Sequence, residues 1–140
     1  MPLDSSLVSL LSPFATWERS DWPEGASFIT RSARSLPARS LEVRLRNGDV
    51  EICFAIQGVR GSPFEQLFAV AKIDENEAVR AVADFVEAIL REKIVLVMSR
   101  GAVKGGREFI EPEDLAQREP SSIRWSASWN GTYDRGLFGA

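Results

Sequence analysis

Histidine is absent from the 140 residues of this chain, and cysteine occurs once, as Cys53. Histidine is the one side chain that titrates near neutrality without help, and it is the commonest metal ligand. Its absence excludes Ser-His-Asp and Cys-His nucleophiles, HExxH zinc sites and imidazole proton shuttles. A lone cysteine closes no internal disulfide, so nothing points to an oxidising compartment. Long apolar runs are missing too: no segment approaches the roughly 20 residues that span a bilayer. The leading stretch MPLDSSLVSLLSPF carries Asp4 and no positive n-region, and reads as a helix of the mature fold. A cytoplasmic protein without membrane contact is expected.

What is present is ordinary globular composition, 44% apolar and 26% charged, which argues against disorder. At this length one domain over 1–140 is the expectation, with 1–26 a peripheral helix and loop and 136–140 a frayed tail. The net charge of −3 forces no partner and disfavours general nucleic-acid binding. The basic residues are mostly arginine, with only Lys72, Lys93 and Lys104 as lysines. Codon bias explains that skew more simply than bidentate anion recognition.

Period-2 alternation is clearest where Leu41, Val43 and Leu45 interleave with Glu42, Arg44 and Arg46. Asn47-Gly48 follows, then Val50, Ile52, Phe54 and Ile56 alternate again, so a β-hairpin is predicted. A third strand over 64–72 extends the hairpin into an antiparallel meander, and Ser27 to Thr30 reads as a strand before it. Asp74 and Glu77 have capping-box spacing ahead of a helix whose apolar stripe is Ala78, Val79, Val82, Phe85, Val86, Ile89 and Leu90. Ile94 to Met98 resembles a buried strand, and Ile123, Trp125, Ala127 and Trp129 share one strand parity. Leu7, Val8, Leu10 and Leu11 are expected on one side of the first helix. The sum is an α+β fold: a largely antiparallel sheet with an N-terminal β-meander, then one long amphipathic helix, then further strands, with a short N-terminal helix beside it.

Candidate sites are few. Arg100, Lys104 and Arg107 stand among glycines and could meet a phosphate. The segment lacks the GxxxxGK[ST] pattern, however, and a solvated hairpin turn explains it. Arg31, Arg34, Arg39, Arg44 and Arg46 make one interval basic, with Trp17 and Trp22 available for base stacking. A solvated strand face is the plainer account. Trp125 and Trp129 belong to the core on their parity, and would be interface residues if exposed. Glu42 and Glu51 can approach each other across the hairpin, but no calcium loop or apolar acid pocket is legible. Cys53 reads as a small buried apolar residue.

No catalytic, cofactor-binding or metal-ligating residue is assigned. By elimination the expected function is a non-enzymatic protein-interaction module of inhibitor or immunity type. Its partner would be an unknown protein, contacted through Trp17, Trp22 or Trp129, with a homodimer through a sheet edge also open. Two alternatives stand. A small carboxylate/arginine enzyme or ligand-binding domain predicts a cleft containing Arg100 or Arg107 and a perturbed acid. Nucleic-acid binding predicts one continuous arginine face over Arg31–Arg46.

Overall fold

A computed structural model describes residues 3–23, 25–32, 37–46, 49–59, 64–68, 75–100 and 106–137. Helix α1 (Leu3–Leu11) precedes five strands: β1 (Glu18–Trp22), β2 (Gly25–Arg31), β3 (Arg39–Arg46), β4 (Asp49–Ile56) and β5 (Phe64–Phe68). Helix α2 (Glu75–Leu90) then leads to β6 (Val95–Ser99), β7 (Arg107–Ile110), helix α3 (Pro112–Gln117) and β8 (Ile123–Ala127). The first five strands form one antiparallel sheet in chain order, and the last three form a second with β6 central. The α+β class holds, with two sheets where one was expected.

The β3–β4 hairpin follows its alternation. Leu41 stands opposite Phe54, Val43 opposite Ile52 and Leu45 opposite Val50, all of them buried. Arg46 stands opposite Asp49, the register a two-residue turn requires; residues 47–48 themselves lie outside the described ones. So do the Asp74 cap and residues 69–72 of the expected third strand. The buried row of the sheet, its inner face, packs on Val79, Val82, Val86 and Ile89 of α2. Each such side chain contributes roughly 1.5–3 kcal/mol on burial.

Strand β6 is buried on both faces, as its unbroken apolar run requires. Leu96, with Trp125 and Ala127, joins the main core, while Val95 and Val97 form a second core with Ile110, Leu115 and Ile123. Ile123 therefore departs from the expected stripe. The register between β6 and β8 slips between Met98 and Ser99, with Met98 opposite Trp125 and Ser99 opposite Ile123. Arg124 is the extra residue of this bulge, and it turns Ile123 to the other face.

The N-terminal segment is not a peripheral helix and loop. Leu7 and Leu11 are core residues, and 18–22 form a strand paired to β2 from Glu18 opposite Ile29 to Trp22 opposite Gly25. Nor do the apolar residues of α1 share one side: Val8 and Leu10 are each 41% exposed. At the other end, Leu137 packs against the main core rather than fraying, and 138–140 lie outside the described residues. Among the described residues no helix is long and apolar enough to cross a membrane.

Candidate interaction surface

Arg39 shares the parity of Leu41, Val43 and Leu45, so its side chain enters the inner face, where it is 2% exposed. A buried guanidinium must be paired. Its Nη1 donates to Asp134 Oδ1 at 2.9 Å and its Nη2 to Asp134 Oδ2 at 2.8 Å. Further bonds run from Nη1 to the Ser128 carbonyl and from Nε and Nη2 to the Pro37 carbonyl. Asp134 Oδ1 also accepts the Ser128 N–H at 3.1 Å.

A second acid fixes the same C-terminal loop. Lys93 N–H bonds to the Ala88 carbonyl and Glu92 N–H to the Ile89 carbonyl, the paired bonds that close a helix with a left-handed residue. That residue is usually glycine; here it is Glu92, with φ 55°. Its carboxylate accepts Ser128 Oγ, Thr132 Oγ1 at 2.6 Å, and the N–H groups of Asn130 and Thr132, both at 3.2 Å. Burial by itself would push this carboxyl up, but the hydrogen bonds from Ser128, Thr132 and Asn130 outweigh it and hold the group below its ordinary pKa.

The loop so anchored projects Trp129 and Asn130 towards the N-terminal segment. Together with Thr16, Glu18, Thr30 and Arg31 they line an open cleft of about 530 Å³. On the other side of the α1–β1 connection lies an apolar groove of about 360 Å³, lined by Val8, Leu11, Ala15, Trp17, Arg19 and Phe28. Trp17 is fixed there by its indole N–H, which donates to the Leu11 carbonyl at 3.0 Å. Strand β1 borders the groove and is an edge of the five-stranded sheet. All but one of its residues are exposed. Antiparallel pairing with β2 uses alternate backbone groups of β1 and leaves the others facing outward.

The outer face of this sheet carries charge in a laced pattern. Arg44 bonds Glu42 Oε1 at 2.7 Å and Glu51 Oε1 at 2.9 Å, so both acids meet the guanidinium rather than each other. Arg31 pairs with Glu18 at 3.1 Å, and the Arg46 guanidinium lies 4.8 Å from the Trp22 ring centre. The arginines of this interval thus divide: Arg39 is inward, Arg31, Arg44 and Arg46 are outward beside acids or a ring, and Arg34 lies outside the described residues. They do not make one continuous basic face.

Of the six residues singled out by sequence, five are described, and they do not come together. Trp17 lines the groove, and Trp22 caps the end of β1. Trp129 is 8% exposed, packs edge-on against Phe54 at 6.0 Å and belongs to the core. Arg100, exposed just past the end of β6, donates from Nε to the Ile123 carbonyl at 3.2 Å, and Arg107 is half-buried on β7; neither lines either cleft. Lys104 lies outside the described residues. Cys53 is buried, on the outer face of β4. Among the described residues no three acids or thiols stand close enough to hold a metal ion.

The sequence pattern does not mark Glu92 and Asp134, which build the scaffold, or Arg19 and Asp21 on the edge strand, and it places Arg39 outward and Val8 inward where the fold does the reverse. One signal was there to read: a charged residue, Arg39, at a core parity. The chain matches no protein-family model, no curated protein and no solved structure.

Proposed function

We propose that this chain is a protein-binding module that engages its partner at the corner of α1 and β1. The observation that carries the reading is the apolar groove opening directly beside an edge strand. An edge offers backbone hydrogen bonds to an incoming strand, and an apolar groove beside it takes a side chain. Val8, which lines the groove, adds exposed apolar surface to it.

The polar chemistry nearby suits structure better than catalysis. Arg31 and Glu18 in the open cleft neutralise each other. The Glu92 carboxylate is held below its ordinary pKa by hydrogen bonds to the loop it anchors. A general acid needs the opposite displacement.

Affinity capture from the cells that make the protein tests the reading, comparing the wild type with a Val8→Asp variant. The expected result is a stoichiometric protein held by the wild type at about 0.5 M salt, where surface ion pairs are screened, and lost from the variant. Equal capture by both, or none by the wild type, contradicts it.

A further inference from the structure

We propose that the partner at the β1 edge is a second copy of this chain, joined by antiparallel β1–β1 pairing about a two-fold axis at Ser20. This deepens the binding-module reading and rests on it. A two-fold interface must be self-complementary, because each contact between positions i and j occurs twice.

Strand β1 reads Glu18-Arg19-Ser20-Asp21-Trp22. Pairing centred on Ser20 places Arg19 opposite the partner's Asp21 and Asp21 opposite the partner's Arg19. Glu18 then meets the partner's Trp22, and no like charges face each other. Arg19 and Asp21 share a face, and the salt bridge already formed between them at 2.9 Å shows their ends within reach. The Arg19 guanidinium lies 5.3 Å from the Phe28 ring centre, which holds it over the inner face.

The same charges reject the neighbouring registers. Sliding the pair by two residues one way brings Arg19 opposite the partner's Arg19; sliding it the other way brings Asp21 opposite the partner's Asp21. A one-residue slip turns the inner face of one copy to the outer side of the other. Charged side chains on an edge strand ordinarily block pairing with foreign strands. Here opposite charges two positions apart block them while admitting one self-pairing.

Apolar surface follows the same symmetry. Arg19 and Phe28 put the groove on the inner face, so pairing with both inner faces on one side sets the two grooves about the axis. Val8 and Trp17 of each copy then border the joint. The product is one continuous ten-stranded sheet, twice the five strands of the single chain.

Light scattering coupled to size exclusion, over a range of protein concentrations, tests this. The wild type is expected at twice the 15.5 kDa of the chain. Arg19→Asp alone and Asp21→Arg alone each bring like charges opposite, and each should weaken the dimer by about a hundredfold or more. The swap Arg19→Asp/Asp21→Arg restores the match and should restore the dimer, as should mixing the two single variants. Circular dichroism of each variant confirms the fold. A wild type at 15.5 kDa throughout overturns the proposal, as does a pair of folded single variants that dimerise like the wild type. A monomeric wild type that still captures another protein through Val8 would sink the self-pairing alone. Loss of that capture as well would sink the binding-module reading.

Discussion

Arg39 and Asp134 join strand β3 to the C-terminal loop across 95 positions of sequence, through two parallel hydrogen bonds of 2.9 and 2.8 Å. The guanidinium is wholly buried, while the Asp134 side chain keeps 20% of its exposure. Removing the acid strands a charge in the core. Asp134→Ala is therefore expected to cost about 3–5 kcal/mol, read as a lower urea midpoint. The double variant Arg39→Met/Asp134→Ala should recover part of that loss. A double variant no better than the sum of its parts would show that the pair is not coupled.

Glu92 makes stability depend on pH. Its folded pKa lies below the ordinary 4.5 because hydrogen bonds from Ser128, Thr132 and Asn130 outweigh burial. A depressed acid stabilises the fold fully above its unfolded pKa, and that contribution fades as pH falls through the folded value. Glu92→Gln should accordingly be less stable than the wild type at pH 7, with the gap closing below about pH 4. Glu92→Gly relieves the left-handed backbone yet forfeits the same bonds, so it too should lose stability at neutral pH. Urea unfolding at stepped pH reads both.

Gly25 sets the spacing of β2 and β3. A Cβ at this position would stand 1.8 Å from the Leu45 carbonyl oxygen, so the strands must part to admit it. Gly25→Ala should cost about 1–3 kcal/mol, within the range of overpacking. Hydrogen exchange should quicken in β1 and β2 ahead of β4. Uniform quickening across the sheet would place the damage elsewhere.

Helix α1 offers a direct contrast. Leu7 is 0% exposed, so Leu7→Ala should cost about 2–5 kcal/mol. Val8 is 41% exposed, so Val8→Asp should change stability by no more than about 0.5 kcal/mol while abolishing binding. Thermal melts of the two variants decide the first half of this statement.

The elements legible in the sequence are those whose period was intact. Strands β3 and β4 alternate cleanly, and α2 keeps its stripe from Ala78 to Ile89. Strand β1 was hidden because its inward positions are Arg19 and Asp21, so no apolar alternation marks it. The bulge at Arg124 reversed the parity of Ile123, which no local pattern announces. Glu92 occupies a helix end where glycine is the usual signal. The candidate surface was the least legible, for a physical reason: Val8 and Leu10 have the same chemistry as Leu7 and Leu11. Only the packing of α1 against α2 and the sheet decides which pair is covered.

The central claim is that the α1–β1 corner is a contact surface, and photo-crosslinking in cells tests it most directly. A photoreactive residue is placed in turn at Val8, at Ser20 and, as a control, at the exposed Glu113 of α3. The account predicts a discrete protein adduct from positions 8 and 20 and none from 113, with an adduct at twice the chain mass where the partner is a second copy. No adduct from 8 or 20, or equal yields from all three positions, would contradict it.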